Sequence, residues 1–216
     1  MQAAEMTYKT RFTFLMNRAK DIVRHAHMSS PRADLPCLYF FTDPVRTPHP
    51  EEITAHLPEG AAIVYRHFGD RHAPAHARVL QALAQEKGLY LLIGNDVDLM
   101  REVGADGVHL SESRLAEATA LRRLYPQMWL TAACHAPETM KQPAIAALDA
   151  LFISPVFPSQ SPSAADKSAL GLKGITAFCD LSPVPVMGLG GITTDNAERL
   201  TTSGLSGFGA IEAFRL

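Results

Sequence analysis

The sequence predicts a single (β/α)₈ barrel. Eight short apolar runs recur along the chain at intervals of about 24 residues, which is the size of one βα unit. The runs are continuous rather than alternating in polarity, as is typical of a parallel sheet covered on both faces. Segments with helical periodicity separate most of the runs, and 216 residues lie at the small end of the range for this fold. A doubly wound open sheet is the structural alternative.

The residues before the repeat form a separate unit. Seven apolar residues in this unit share one helical face: Tyr8, Phe12, Leu15, Ala19, Ile22, Val23 and Ala26. The pattern predicts a helix over residues 8–27 that ends before the Ser-Ser-Pro run at 29–31. We therefore divide the chain into an N-terminal helical extension at 1–36 and a barrel domain at 37–216.

The predicted strands follow in order. They are the apolar runs 38–42, 61–65, 89–93, 107–110, 129–133, 150–157, 185–189 and 207–211. Between them, two helical stripes stand out: Val79, Leu80, Leu83 and Ala84, and then Leu115, Ala118, Leu121 and 122–124. Glycine or proline marks the expected helix ends at Gly88, Gly104, Pro126 and Gly204.

The eighth barrel helix is predicted to be truncated. The last strand finishes near Ile211, and the five residues after it make little more than one turn. A missing helix would leave apolar surface exposed between the first and seventh helices. We expect the helix at 8–27 to pack in or near that place, in its own subunit or in a swapped partner. The sequence leaves open whether the protein forms a homo-oligomer.

Composition narrows the functional class. The apolar fraction of 47% and the charged fraction of 19% are those of a globular chain, and a net charge of −2 disfavours nucleic acid as a partner. No apolar run approaches the roughly 18 residues of a membrane span, so we expect no membrane partner. Cys37, Cys134 and Cys179 are too far apart for a metal knuckle, and their odd number argues against a disulfide framework. With no secretory pattern at the N-terminus, a cytoplasmic location is the simplest expectation.

Glycine-rich ends follow the last two predicted strands. Glycine lets the backbone approach an anion closely, and the N–H groups that follow can donate to it. In a (β/α)₈ barrel, paired glycine-rich ends after strands seven and eight commonly hold a phosphate group. The predicted phosphate-binding residues are Gly188, Gly190, Gly191, Gly209, Ala210 and Ile211. The alternative is that these glycines serve only tight strand–helix turns.

Two motifs resemble those of thiamine phosphate synthase and its sister family, the thiazole tautomerase. They are GADGVHL at 104–110 and PVMGLGGI at 185–192, supported by YFFTD at 39–43, VDL at 97–99 and SPVFP at 154–158. The resemblance covers roughly residues 38–213 and implies the same barrel fold. It also implies that the protein joins a pyrimidine pyrophosphate to a thiazole phosphate, with Mg²⁺ helping pyrophosphate to leave. The expected partner is therefore a phosphorylated small molecule.

At the ends of predicted strands two and three, only some residues match the family motifs. Arg66 matches the arginine of the family run at the end of strand two, whereas Val64 and Phe68 replace its glutamine and lysine. A gap-free alignment places Asn95 where the family has a metal-binding aspartate. A shift by one residue would instead align Asn95 and Asp96 with the family's Asn-Asp, at the cost of a deletion in the next helix. Asn95 and Asp96 are therefore predicted to bind substrate.

The second half also departs from the family pattern. Arg114 stands where the family has its second metal aspartate; arginine cannot ligate Mg²⁺, but it can neutralise a phosphate. Glu112 is an alternative metal ligand. Ser159 and Ser161 retain two hydroxyls of the family's pyrophosphate-binding run, which here lacks its lysine and lies in a long polar segment. We therefore predict no resident metal ligand, and Mg²⁺ would enter only with a pyrophosphate substrate.

His135 and Arg66 are the predicted catalytic residues. His135 follows strand five, where the tautomerase has an acid–base histidine, and an imidazole at the carboxyl end of a barrel strand suits proton transfer. The alternative is a supporting or capping histidine. We interpret His109 as structural, and Cys134 as pointing away from His135 because adjacent strand residues face opposite sides.

The leading functional prediction is a thiamine phosphate synthase-like transferase. The changes at Asn95, Arg114 and the residues flanking Arg66 weaken the pyrophosphate–Mg²⁺ half of the expected site, while the glycine-rich half is retained. A thiazole tautomerase-like enzyme and a non-catalytic binding member of the family are therefore kept as alternatives.

Overall fold

The computed structural model describes residues 7–26, 35–159 and 168–215. Eight parallel strands close into one barrel in chain order, which confirms the predicted fold and excludes the open sheet. The strands are β1 Leu38–Phe41, β2 Ala62–Tyr65, β3 Tyr90–Gly94, β4 Gly107–Leu110, β5 Trp129–Cys134, β6 Ala150–Ile153, β7 Val186–Gly188 and β8 Phe208–Ala210. The seam between β8 and β1 pairs Leu38 with Phe208 and Phe40 with Ala210.

Alternate residues of the strands fill the barrel interior. This inner cluster consists of Tyr39, Phe41, Ala62, Val64, Leu92, Trp129, Ala150, Phe152 and Met187. His109 joins it, with its ring edge-on to Phe41 at 5.1 Å and to Phe152 at 5.4 Å. Burial lowers the pKa of His109 to about 3, and the charges of Arg66 and His135 add to that shift. His109 is therefore neutral at pH 7, and its Nδ1 lies 2.9 Å from the Thr131 hydroxyl.

Six α-helices surround the barrel in the described residues. They are α1 Tyr8–Val23, α2 Pro50–Thr54, α3 Ala73–Lys87, α4 Val97–Val103, α5 Ala118–Leu124 and α6 Gly171–Leu181. The rest of the outer layer is made of 3₁₀ turns: Glu112–Glu117, Pro137–Lys141, Pro143–Ala147, Ala197–Leu200 and Glu212–Phe214. The described chain after β5, β7 and β8 thus covers the barrel with short turns, and none of the described helices is long and apolar enough to cross a bilayer.

Most apolar residues of the two predicted helical stripes are buried against the barrel, but a residue at the edge of each stripe is exposed. Leu80 and Ala84 of α3 are buried, as are Leu115, Ala118 and Leu121 around α5. Val79 is 51% exposed and Leu124 is 69% exposed, because each lies beyond the arc that faces the barrel. Gly88 and Gly104 end α3 and α4 in the left-handed conformation, as predicted.

Helix α1 packs in the groove left by the truncated eighth helix, against residues of the same chain. Its buried residues are Phe12, Leu15, Met16, Ala19 and Ile22. The Phe12 ring packs edge-on against Phe214 at 5.1 Å, and Arg11 donates a hydrogen bond to the carbonyl of Arg215. The helix ends at Val23 rather than at residue 27, and the proposed stop at 29–31 lies outside the described residues.

Candidate active site at the carboxyl end of the barrel

A cavity of about 580 Å³ opens at the carboxyl end of the barrel. It lies against the segments that follow β1, β2, β6, β7 and β8. Its lining residues are Arg46, Arg66, Ser154, Pro155, Pro158, Ser159, Leu189, Gly190, Gly191, Ile192, Thr193, Ala210, Ile211, Glu212 and Arg215. Active sites of (β/α)₈ enzymes are built at this face, from the loops after the strands. We call this space the glycine–arginine cavity.

Two consecutive glycines shape one wall of the cavity. Gly190 has φ +90° and Gly191 has φ +68°, a region that residues with a side chain rarely adopt. A Cβ on Gly191 would lie 2.4 Å from the Pro158 carbonyl oxygen, so a side chain would not fit there. Among the described residues, no acceptor takes the N–H of Gly190, Gly191 or Ile192. These donors remain available to an anion at the cavity wall.

The other predicted phosphate-binding residues divide between the cavity and the barrel wall. Ala210 and Ile211 line the cavity. Gly188 lies in β7, where a Cβ would approach Leu205 to 2.9 Å, and Gly209 lies in β8, where a Cβ would approach the Phe41 ring to 2.6 Å. Gly188 and Gly209 therefore allow close packing of the barrel, and neither lines the cavity.

Arg66 enters the cavity from the end of β2. Its Nε donates to the Thr42 carbonyl at 2.8 Å, and its guanidinium lies 5.7 Å from the Phe41 ring centre and 5.3 Å from that of Phe68. Burial lowers the pKa of Arg66 to about 10, against the opposing effect of Asp43. The side chain is therefore a cation at neutral pH.

Arg46 and Arg215 are cavity residues that sequence reasoning missed. Arg46 follows β1 and pairs with Asp43 at 2.8 Å and with Glu212 at 3.8 Å. Arg215 follows β8 and lies 3.9 Å from Glu212. The available signal was position: both arginines come soon after a strand end, where barrel enzymes place their functional residues.

A second cluster lies after β3 and β4 and contains Asn95 and Arg114. The Asn95 backbone is left-handed at φ +58°, and its side-chain oxygen accepts from the Ser111 N–H at 2.7 Å. Arg114 donates to the Asn95 carbonyl and makes two hydrogen bonds to Glu117, at 2.7 and 2.6 Å. The structure brings these two predicted residues together, but neither lines the glycine–arginine cavity.

Asp96 caps the helix that follows β3. Its Oδ1 accepts from the Leu99 N–H at 2.8 Å, and its Oδ2 lies 3.4 Å from His67 Nε2. Its described contacts are therefore a helix cap and a histidine. Of the two predicted serines, Ser159 lines the cavity, and Ser161 lies outside the described residues.

His135 forms a close pair with Glu112 after β4 and β5. His135 Nδ1 lies 2.7 Å from Glu112 Oε2, and the His135 backbone N–H donates to Oε1 at 3.0 Å. The Thr139 hydroxyl donates to the same oxygen at 2.5 Å. Burial opposes ionisation of Glu112, but the hydrogen bonds from Thr139 and His135 outweigh it and lower the pKa of Glu112. Glu112 is therefore an anion at neutral pH, and it holds the His135 ring and backbone in place.

Among the described contacts, the Cys134 thiol makes no hydrogen bond to His135. Its Sγ lies 3.4 Å from the Ala136 carbonyl and 3.9 Å from Met140 Sδ. Burial raises the pKa of the thiol to about 12, so Cys134 is not a nucleophile at neutral pH.

The described residues at this face do not form a ligand set for Mg²⁺. Mg²⁺ prefers carboxylate oxygens and waters, yet Glu112 and Asp96 already accept hydrogen bonds from their neighbours. Asp43 accepts from the N–H groups of Val45 and Arg46 and from the Arg46 guanidinium. In the described part of the chain, no three His, Cys, Asp or Glu side chains converge as a metal site would require.

Comparison with known proteins identifies the family. The family model for thiamine monophosphate synthase matches residues 38–214, which span all eight strands of the barrel. This chain belongs to the thiamine monophosphate synthase family. The matched region begins at β1, so α1 lies outside it.

Curated relatives of this family member are named thiamine-phosphate synthase. The protein from Lactococcus lactis subsp. cremoris is 30% identical over 135 residues, which are 62% of this chain and 62% of the relative. The one from Limosilactobacillus reuteri is 28% identical over 156 residues, 69% of this chain and 72% of the relative. The chain thus aligns with less than two thirds of the Lactococcus relative's length.

Solved structures agree with the family assignment. Thiamine phosphate pyrophosphorylase from Pyrococcus furiosus superposes with a TM-score of 0.70 at 26% identity, covering 83% of this chain and 87% of that one. An aldolase from Escherichia coli K12 superposes with a TM-score of 0.57 at 12% identity, a likeness of fold alone.

Proposed function

We propose that this protein is a transferase that joins a pyrimidine pyrophosphate to a thiazole phosphate and releases pyrophosphate. The observation that carries the proposal is the glycine–arginine cavity, which has open backbone donors on one wall and arginines on another. Membership in the thiamine monophosphate synthase family supports the same reaction.

The proposed reaction needs one binding site for each phosphorylated group and a contact between the pyrimidine and thiazole rings from which water is excluded. The bond between the pyrimidine methylene carbon and the pyrophosphate oxygen breaks, and the leaving oxygen takes the electron pair. The thiazole nitrogen then donates its lone pair to that carbon, so no proton is consumed. The protein's part is to neutralise the leaving group and to hold the two rings together.

Each wall of the cavity has a role in this scheme. The N–H groups at Gly190 and Gly191 bind the thiazole phosphate, as backbone donors after a barrel strand commonly do. Arg66 lies across the cavity as a cation and binds the leaving pyrophosphate. Ser159, which also lines the cavity, is placed to contact a phosphate oxygen.

A turnover assay tests this proposal. We expect the full chain, mixed with the pyrimidine pyrophosphate and the thiazole phosphate, to release pyrophosphate and form thiamine phosphate. Arg66→Ala should lower the rate about 10²-fold or more, because one charge on the leaving group is lost. Arg101→Ala, on the exposed side of α4, is the matched control and should leave the rate unchanged. No product from the unaltered protein, with or without Mg²⁺, would refute the proposal.

The pair of His135 and Glu112 favours a second candidate, a thiazole tautomerase-like proton transfer. With Glu112 at Nδ1, the imidazole keeps its proton on that nitrogen and leaves Nε2 as the base. Such a base would take a proton from one carbon of the thiazole ring and return it elsewhere in the same molecule. His135→Asn should then lower the rate about 10²-fold with little change in melting temperature. Full activity in this variant would show that His135 transfers no proton and has only a structural role.

A further inference from the structure

We infer that the arginines of the cavity, chiefly Arg46 and Arg66, bind the pyrophosphate group directly and that its binding needs no divalent cation. The inference rests on the proposed function for the identity of the anion. It assigns a ligand-binding part to Arg46, a residue that the family resemblance does not supply.

The charge of the cavity favours an anion carrying several negative charges. Three arginines line it, Arg46, Arg66 and Arg215, together with the Glu212 carboxylate. The Asp43 carboxylate lies behind Arg46 and Arg66, at 2.8 and 3.6 Å, so the positive groups still outnumber the negative ones. A guanidinium presents a rigid fork of donors that matches two phosphate oxygens at once. Two such forks on one side of the cavity match the two phosphorus centres of a pyrophosphate.

Arg66 has a donor that the protein itself does not satisfy. Its Nη2 is buried, and within the described residues no acceptor lies at hydrogen-bond distance from it. The nearest charge is Asp43 Oδ2 at 3.6 Å, which is longer than a hydrogen bond. A buried donor without a partner is costly, and because the Arg66 side chain lines the cavity, a small rotation would bring this donor to a phosphate oxygen there.

Arg46 is held in place from behind by Asp43. The Asp43 carboxylate accepts from the Val45 and Arg46 N–H groups at 3.1 and 2.9 Å and from Arg46 Nη2 at 2.8 Å. The Arg46 side chain is only 20% exposed and still lines the cavity. Its fork is therefore ordered before any ligand arrives, which lowers the entropic cost of binding.

The positions expected to hold a metal support the same conclusion. Asn95 and Arg114 stand there in place of aspartates, and the structure pairs them with each other. Glu112, the alternative ligand, instead accepts hydrogen bonds from His135 and Thr139. The positive charge that a bound Mg²⁺ would bring is supplied instead by the guanidinium groups that follow β1 and β2.

Calorimetric titration with inorganic pyrophosphate tests the inference. We expect the full chain to bind pyrophosphate in EDTA and in Mg²⁺ with dissociation constants that agree within about threefold. Arg46→Ala should weaken binding about tenfold or more, as expected for loss of a charge-assisted bidentate contact. Arg46→Lys keeps the charge and the ion pair with Asp43, so its affinity for pyrophosphate should lie between those of the unaltered chain and Arg46→Ala. Arg101→Ala is the control and should bind like the unaltered chain.

Two results would overturn the inference. One is binding that appears only when Mg²⁺ is added. The other is unchanged affinity in Arg46→Ala, provided that its thermal unfolding stays cooperative; Arg46→Lys serves as the test if the alanine variant does not fold.

The same titration separates this inference from the proposed function. If the chain binds pyrophosphate in EDTA but forms no thiamine phosphate in the turnover assay, the arginine site is supported and the proposed transferase is refuted. Condensation that is lost in EDTA together with pyrophosphate binding would refute the arginine site and keep the transferase.

Discussion

Gly190 illustrates how a single residue prepares a binding surface. Its left-handed backbone lies between Pro155 on one side and the cavity on the other, with Pro155 Cα and Cβ each 3.0 Å from where a Cβ would stand. Its conformation disfavours a side chain, and a Cβ would require Pro155 to move by a few tenths of an ångström, so glycine leaves the peptide N–H groups open to an anion.

Gly190→Asp should therefore abolish binding of thiazole phosphate. The variant strains a backbone with φ +90°, crowds Pro155 with a Cβ, and places a carboxylate beside the proposed phosphate. Gly69→Ala is a suitable control, because Gly69 also has a positive φ but would meet nothing within 4 Å. Thermal shift with thiazole phosphate measures the effect, and an unchanged shift in Gly190→Asp would contradict the proposed phosphate site.

Asp43 makes stability depend on pH in the acid range. Burial opposes its ionisation, but hydrogen bonds and ion pairing with Arg46 outweigh it and lower the pKa from 3.8 to about 2. Because the folded pKa is the lower one, the stabilisation is fully present above about pH 4 and is lost as the pH falls towards 2. Urea unfolding at a series of pH values should show this loss, and Asp43→Asn should flatten it. An equally steep loss in Asp43→Asn would assign the effect to other carboxylates.

At the scale of elements, α1 acts as the missing barrel helix. It buries several large side chains, each worth about 1.5–3 kcal/mol, so their sum is comparable to the whole net stability of a domain. Deleting residues 1–30 should therefore yield insoluble or molten protein. Phe12→Ala is the milder test and should cost about 3–5 kcal/mol by denaturant unfolding. A truncated chain that stays soluble and keeps its melting temperature would show that α1 is an appendage.

Strands were easier to predict than the turns between them. The strands are largely buried on both faces, so each appears as a continuous apolar run. The predicted run at 150–157 extends past the end of β6 at Ile153, because the loop that follows is also buried and apolar. The described chain after β5, β7 and β8 forms short 3₁₀ turns, which are too brief to carry a helical period. A sequence pattern therefore locates the barrel wall and overestimates its outer layer.

The candidate site was predictable only in part, for a different reason. The glycine-rich end of β7 has a local signature, and so does an arginine after a strand. The contact of His135 with Glu112 joins residues 23 apart in the sequence, and only the pairing of β4 with β5 brings them together. Sequence reasoning treated Glu112 as an alternative metal ligand, whereas the structure shows it supporting a histidine.

At the scale of the molecule, the arginines at the carboxyl end of the barrel predict how strongly the free protein binds Mg²⁺. The free protein should bind Mg²⁺ weakly, because Asp43, Asp96 and Glu112 at this face already accept from a guanidinium, from N–H groups and from a hydroxyl. Calorimetric titration of the free chain with Mg²⁺ measures this directly. Micromolar affinity would contradict the gap-free alignment and would favour Asp96 and Glu112 as ligands.

The position of α1 also affects how the chain reaches its native state. Arg11 contacts Arg215 across a sequence separation of 204 residues, and Phe12 packs on Phe214. During synthesis, the apolar face of α1 therefore emerges early, and its partners after β8 become available only when the rest of the barrel has been made. We expect this docking to be a late event in folding. Phe12→Ala should then speed unfolding more than it slows refolding in stopped-flow experiments, whereas a large drop in the refolding rate would place α1 in the folding nucleus.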